Sequence, residues 1–112
     1  MKIKIAFAIT ILLGISSFSQ TQKDSLLRIW KNTSIADSLR ANALSNLIFN
    51  EYQYKKPDSA LLLIENLENF IQAKKLDKHQ ADALILKGNV FTVNGDNLKA
   101  IEYYQKALKN YE

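Results

Sequence analysis

A chain of 112 residues without cysteine excludes disulfides, thiolate metal sites and cysteine nucleophiles, so packing alone has to hold its fold together. The composition, 47% hydrophobic and 23% charged with one proline, indicates a single ordered domain rather than a disordered chain. The formal charge of +4 comes with dense lysine runs only at 55–56 and 74–78, each diluted by nearby acidic residues. This pattern does not predict the clustered basic face of a nucleic-acid binder, and we expect no nucleic-acid partner.

Residues 1–19 predict a cleavable signal peptide. Lys2 and Lys4 form a short basic head, residues 5–15 are an apolar run, and small serines follow. The predicted cleavage site lies between Ser19 and Gln20, which implies a periplasmic or secreted protein. The alternative is a chain anchored to the membrane by this segment, but a spanning helix needs about 18 or more apolar residues. Loss of the segment would lower the formal charge to +2, because it takes two lysines and no acidic residue with it.

From residue 20 onward, apolar residues recur at spacings of three and four, which predicts helices only. Residues 20–33 are expected to hold an N-terminal helix whose apolar side contains Leu26, Leu27, Ile29 and Trp30. A second helix is expected to open at Ser34, since Asp37 follows at the spacing of a capping box. The apolar stripe of this second helix is Leu44, Leu47, Ile48 and Tyr52.

Three more helices follow at short intervals. Pro57 suits the first position of the third helix, and Asp58 adds a negative charge to its first turn. The stripe of the third helix is Ala60, Ile64, Leu67 and Ile71. The fourth helix is predicted to open with Asp77 and Gln80 at capping-box spacing. Its apolar residues are Ala81, Leu84, Ile85, Gly88 and Phe91.

Residues 94–96 predict the turn before the fifth helix. Asn94 or Gly95 is expected to take the left-handed conformation that ends a helix, and Asp96 is expected to cap the next one. The apolar residues of the fifth helix are Ala100, Ile101, Tyr104, Ala107, Leu108 and Tyr111. Five helices with short links predict an all-α fold of antiparallel helical hairpins.

The predicted helices belong to an internal sequence repeat. A shift of about 40 residues aligns Ala41 with Ala81 and Pro57 with Asn97, and a fixed period of this size built from helix-turn-helix units predicts a solenoid. The second unit resembles a tetratricopeptide repeat. The residues that carry the resemblance fill the family's packing positions, and they are Leu84, Gly88, Phe91, Ala100, Tyr104 and Ala107.

The match to the family pattern W-x2-L-G-x2-Y is uneven along the chain. Lys87 stands where the family has an apolar residue. In the first unit Ile48 replaces the glycine and Tyr52 falls one position late, with Glu51 in its place. The resemblance implies a short right-handed solenoid of two hairpins, a degenerate one over 34–76 and a well-formed one over 77–112. The long first unit predicts an extended second helix or a longer link through 70–79.

The order of these segments is similar to the N-terminal periplasmic tetratricopeptide sensory region of bacterial signalling proteins. In those proteins a histidine kinase, a nucleotide cyclase or a helix-turn-helix regulator follows. The resemblance implies a non-catalytic module that binds a protein or peptide and acts as a scaffold or sensory input. The alternative is the N-terminal fragment of a larger membrane signalling protein, a histidine kinase or an adenylate or guanylate cyclase.

Two surfaces are implied by the same resemblance. The first helices of the hairpins would line a peptide groove, and the inward positions are Ser45, Phe49, Ile85, Asn89, Thr92 and Val93. Some relatives clamp a partner's terminal carboxylate with lysine and asparagine, but Ile85 stands where that lysine would be. The outer side of the last helix, with Ile101, Leu108 and Tyr111, is expected to take a further repeat or to mediate self-association.

Nothing in the sequence predicts catalysis. His79 has no second ligand at metal spacing and is expected to be a solvated residue at a helix end. Glu65 and Glu68 share a helix face and are expected to lie on its solvent side. Gly88 and Gly95 fit structural positions rather than a phosphate-binding loop. We therefore predict no enzyme activity, no cofactor, no metal and no small-molecule substrate.

Overall fold

The computed structural model describes residues 20–111, and within that range the chain is all-helical. Residues 20–31 form α1, and the predicted signal peptide at 1–19 lies outside the described residues. The other helices are α2 (Asp37–Leu47), α3 (Pro57–Lys74), α4 (Gln80–Val93) and α5 (Asn97–Asn110). A π-helical turn at Ile48–Tyr52 continues α2, and a 3-10 turn at Asp77–His79 precedes α4. The described part contains no β-strand, so the all-α prediction is confirmed for these residues.

The predicted opening of α2 at Ser34 is wrong. The helix begins at Asp37, and Ala36 precedes it without a side-chain capping hydrogen bond. Ser34 instead donates its backbone N–H to Oδ1 of Asn32 at 2.9 Å, which folds the link after α1 into a local turn. The local side-chain acceptor therefore holds Ser34 outside the helix.

The predicted capping box of α4 is also wrong. Asp77 lies in the 3-10 turn, and α4 begins at Gln80 without a side-chain cap. The turn is closed by the backbone, since the N–H of His79 donates to the carbonyl of Leu76 at 2.9 Å. A backbone acceptor thus takes the role that the sequence pattern assigned to a side chain.

The π-helical turn explains an irregularity of the repeat. The N–H of Gln53 donates to the carbonyl of Ile48 at 2.9 Å, a span of five residues instead of the usual four. Such a turn holds one residue more than an α-helical turn. The extra residue accounts for Tyr52 falling one position later than Phe91 does in the second unit.

The core is made by α2, α3 and α4. The predicted stripes of α2 and α3 are confirmed, and their buried residues are Leu44, Leu47, Ile48, Ala60, Ile64, Leu67 and Ile71. Burial of each large aliphatic side chain stabilises the fold by about 1.5–3 kcal/mol before entropy is counted. Tyr52 is partly buried against this cluster.

The predicted core face of α4 is only partly right. Ala81 and Gly88 are buried, but Leu84, Ile85 and Phe91 are half-buried, and the residues that enter the core are Ala83, Leu86 and Val90. The prediction was only partly right because α4 lies between two helices and packs on both α3 and α5. A helix with two neighbours is apolar on most of its surface, so its periodicity does not indicate which residues are buried most deeply.

Two further predictions are confirmed by the helix ends. Gly95 adopts a left-handed φ of 82°, and Oδ1 of Asp96 accepts a hydrogen bond from the N–H of Lys99 at 3.2 Å. In the first unit α3 is the extended helix, with 18 residues against the 14 of α5. It ends at Lys74, and the next residue, Lys75, has a left-handed φ of 56° although it is not glycine.

The C-terminal part of α3 contacts α1. Phe70 meets the Trp30 ring edge to face at 5.0 Å. Arg40 of α2 lies over both rings, and its Nε donates to the carbonyl of Trp30 at 3.0 Å. Side chains from three helices thus close the N-terminal end of the core.

Candidate functional site

A shallow groove runs between α2 and α4. Its volume is about 180 Å³, and its lining residues are Asn42, Ser45, Asn46, Phe49, Asp82, Ile85 and Leu86. Three predicted groove residues, Ser45, Phe49 and Ile85, therefore come together at one place. The first helices of the two hairpins contact each other there, which brings positions about 40 residues apart in the chain side by side.

The groove combines an apolar wall with polar groups. The Phe49 side chain is large and half exposed, at 49%, although it follows a buried stretch of α2. Ser45 is only 8% exposed, and its Oγ has no hydrogen-bond partner among residues 20–111. Asn42 and Asn46 are exposed beside it, one helical turn apart. These side chains offer donors and acceptors next to an apolar surface.

The other predicted groove residues do not line this groove. Asn89 donates from Nδ2 to Oε1 of Gln53 at 3.1 Å, and its Oδ1 accepts from the Tyr104 hydroxyl at 2.7 Å. Thr92 donates from Oγ1 to the carbonyl of Gly88 at 2.9 Å and lies 3.3 Å from the same tyrosine oxygen. Val93 lies at the last position of α4 and is 38% exposed. Asn89 and Thr92 thus belong to a network between helices.

Sequence reasoning missed four groove residues, which are Asn42, Asn46, Asp82 and Leu86. The spacing contains a signal for three of them. Asn42 and Asn46 are separated by one helical turn and lie on either side of Ser45, and Asp82 lies one turn before Ile85. Leu86 gives no such signal because it ends the apolar run 83–86, in which spacing does not single out one residue.

Packing between α4 and α5 uses the small residues of the repeat. A Cβ atom built on Gly88 would lie 2.7 Å from Cδ1 and 2.9 Å from Cζ of Tyr104, so the ring occupies the space that glycine leaves. Ala100 and Ala107 are buried on the facing side of α5. Tyr104 therefore packs directly onto the backbone of α4.

Phe91 has a partner that the sequence did not predict. Its ring stacks on Tyr103 with a centroid distance of 5.4 Å and an angle of 5° between the planes. Lys99 lies over the Phe91 ring at 5.2 Å, and Lys87 lies over the Tyr103 ring at 5.3 Å. Consecutive tyrosines on α5 thus serve two contacts, one with Gly88 and one with Phe91.

Lys87 is also an ion-pair residue. Its Nζ lies 2.8 Å from Oε1 and 3.0 Å from Oε2 of Glu68 on α3. The prediction that Glu68 lies on a solvated face is therefore incomplete, because the carboxylate is half-buried in an interhelical pair, whereas Glu65 is exposed. This ion pair joins α4 to α3.

His79 lies at a helix end as predicted, immediately before α4, but the prediction that it is solvated is wrong. Its side chain is largely buried, and Nε2 lies 2.7 Å from Oγ of Ser38 on α2. Nδ1 lies 3.5 Å from Oδ2 of Asp82 and makes no hydrogen bond. A Ser–His–Asp triad needs that second hydrogen bond to orient the base, so this geometry describes a contact between α2 and the 3-10 turn before α4 rather than a catalytic triad.

The outer face of α5 is apolar and exposed. Ile101, Leu108 and Tyr111 are exposed, and Leu98, one turn before Ile101, is 84% exposed. The residues predicted for a stacking surface are thus exposed, two of them on α5 and Tyr111 directly after it.

Within residues 20–111, no cluster of three or more His, Asp or Glu side chains is arranged to hold a metal ion. None of the helices in this part of the chain has both the length and the apolarity that crossing a lipid bilayer requires. Comparisons with protein-family models, with curated proteins and with solved structures gave no match.

Proposed function

We propose that this chain is a non-catalytic module of the tetratricopeptide type that binds a protein or peptide. It is exported, to the periplasm or out of the cell, and its two hairpins stack as a short right-handed solenoid. The groove between α2 and α4, where Ser45, Phe49 and Ile85 meet, carries this proposal. The starts of the second helices support the proposed repeat, because these helices begin 40 residues apart, at Pro57 and Asn97.

The chemistry of the groove suits a segment of polypeptide. The amides of Asn42 and Asn46 each offer a donor and an acceptor, which is what a peptide backbone requires. Phe49 supplies apolar area for one side chain of the partner. The volume of about 180 Å³ is below the range of about 300–1,000 Å³ that is usual for small-molecule pockets. A single side chain with its flanking backbone fits better than a whole small substrate.

The biological role that we propose is a scaffold or the sensory input of a signalling system. The alternative is the N-terminal region of a larger membrane signalling protein, a histidine kinase or an adenylate or guanylate cyclase. Such an output domain, encoded in frame after residue 112, would decide for the alternative. Export is tested by the N-terminus of the protein recovered outside the cytoplasm, which should be Gln20 after cleavage.

The exposed face of α5 supports a second part of the proposal. Leu98, Ile101 and Leu108 of α5, together with Tyr111 just after it, are exposed apolar side chains. Exposed apolar surfaces of this kind commonly mark sites of association. We propose that a further helix packs here, from another repeat or from a second copy of the chain.

The direct test of binding is selection of random dodecapeptides displayed on phage. We expect peptides enriched on the wild-type chain to be lost on the double variant Phe49→Ala, Ile85→Ala. The matched control is Leu62→Ala, which removes a comparable apolar side chain from an exposed site on α3. Enrichment that survives the double variant, or no enrichment at all, would refute the groove as the binding site.

A further inference from the structure

The groove between α2 and α4 has a distinct electrostatic character. Among its seven lining residues only Asp82 carries a formal charge. We propose that this groove selects segments in which a lysine or arginine lies close to an apolar side chain. This proposal rests on the proposed function and names the class of partner that the same site takes.

Asp82 lacks the lysine or arginine partner that Glu68 and Asp37 each have. Glu68 is held by Lys87 at 2.8 Å, and Asp37 lies 3.6 Å from Arg40. Within the described residues, the only ion-pair partner of Asp82 is His79, at 3.5 Å, which carries charge only when protonated. The Asp82 side chain is 41% exposed, so the carboxylate faces the groove without a permanent counter-charge.

Ser45 provides an independent sign that the groove takes a ligand. Its hydroxyl is buried and has no partner among residues 20–111, although buried polar groups are nearly always hydrogen-bonded. Ser45 lies between Asn42 and Asn46 in the lining of the groove. The flanking amides would hold the backbone of a bound segment, and rotation of the Ser45 side chain toward the groove would let its hydroxyl bond to the same backbone.

The spacing between the charge and the apolar wall sets the sequence that fits. Asp82 and Ile85 are three residues apart on α4, which places them one turn apart along the helix, about 5 Å. In an extended segment, side chains on one face recur every second residue, roughly 6.6 Å apart. The preferred partner therefore carries an apolar residue and a basic residue separated by one position.

The charge of the groove also excludes one kind of ligand. A site for a terminal carboxylate requires cationic side chains, and the groove lining has none. Asp82 would repel such a group instead. The site is thus opposite in sign to a carboxylate clamp.

The experiment uses three nonapeptides, acetylated and amidated, that differ at one position. Each has a Gly-Ser background with one leucine, and two positions further on it carries lysine, glutamine or glutamate. Each peptide is titrated into the ¹⁵N-labelled chain, and amide shifts report both location and affinity. We expect shifts in 42–49 and 82–89, with the lysine peptide binding about two- to fivefold more tightly than the glutamine peptide and the glutamate peptide weakest.

Variants assign the preference to one side chain. In Asp82→Asn the preference for lysine over glutamine should vanish while the affinity for the glutamine peptide stays the same. Asp58→Asn removes the same charge from an exposed position in the first turn of α3 and should leave the preference unchanged. A preference that survives Asp82→Asn, or equal binding of all three peptides, would overturn this inference but not the proposed function. Failure of all three peptides to shift the groove amides would count against both.

Discussion

Replacing Gly88 by alanine sets two effects of opposite sign against each other. In an isolated helix alanine is more favourable than glycine by about 0.8–1.0 kcal/mol. In this chain the added Cβ would lie 2.7 Å from Cδ1 of Tyr104, well inside the 3.5–4.0 Å at which carbon atoms attract. The tyrosine ring therefore has to move for alanine to be accommodated.

Movement of the ring has a definite cost. Overpacking at a helix contact typically destabilises a fold by about 1–3 kcal/mol. The Tyr104 hydroxyl also donates to Oδ1 of Asn89 at 2.7 Å, and loss of that bond costs about 0.5–1.5 kcal/mol. Subtracting the gain in helix propensity, we expect Gly88→Ala to destabilise the protein by about 1–3 kcal/mol.

The assay is urea and thermal unfolding followed by far-ultraviolet circular dichroism. A loss of 1 kcal/mol corresponds to a decrease in Tm of about 4–8 °C for a domain of this size. The control is the same substitution in a Tyr104→Ala background, where the ring is absent and Gly88→Ala should stabilise by up to about 1 kcal/mol. A stabilising effect of Gly88→Ala with Tyr104 in place would refute the reasoning, because it would mean that the ring swings away at no cost.

The remaining predictions concern a cap, the core and the outer face. Asp96→Ala should lower the free energy of unfolding by about 1 kcal/mol, because the N–H of Lys99 loses its acceptor, while Asp96→Asn should retain most of it. Leu67→Ala should cost about 2–5 kcal/mol in urea unfolding and Leu62→Ala, at 66% exposure, about 0.5 kcal/mol or less; equal costs would contradict the assigned core. If a second copy covers α5, light scattering should show an oligomer that Leu108→Asp dissociates, whereas an unchanged mass would show that this residue is outside any such interface.

Where one helix face is buried, the sequence predicted the core correctly. The residues of the α2 and α3 stripes recur at three and four because each helix turns one side to the interior. Pro57 and Asp96 marked their helix starts correctly, since a fixed φ and a local carboxylate act within one turn. The predicted start of α2 at Ser34 was wrong because Asn32, only two residues away, offers a competing acceptor to the Ser34 N–H.

Other features were out of reach because they join distant parts of the chain. Ser38 and His79 are 41 residues apart, and neither belongs to a periodic pattern that would predict their contact. Tyr103 and Tyr104 are adjacent, and periodicity favoured only the second as a packing residue, so the stack of Tyr103 on Phe91 was missed. The candidate groove was half predicted for the same reason, because Asp82 faces it only through the crossing of α4 with α2.

The polar residues at the two ends of α4 differ in whether their side chains have hydrogen-bond partners. At the end near Tyr104, Asn89 is fully engaged with Gln53 and the tyrosine hydroxyl, so its amide joins the two hairpins and is not free for a ligand. At the opposite end, Asp82 and the neighbouring Ser45 keep polar atoms without permanent partners in the described structure, apart from the long contact to His79. Under the proposed function, Asp82 is therefore the one charged lining residue that would select the charge of a bound segment.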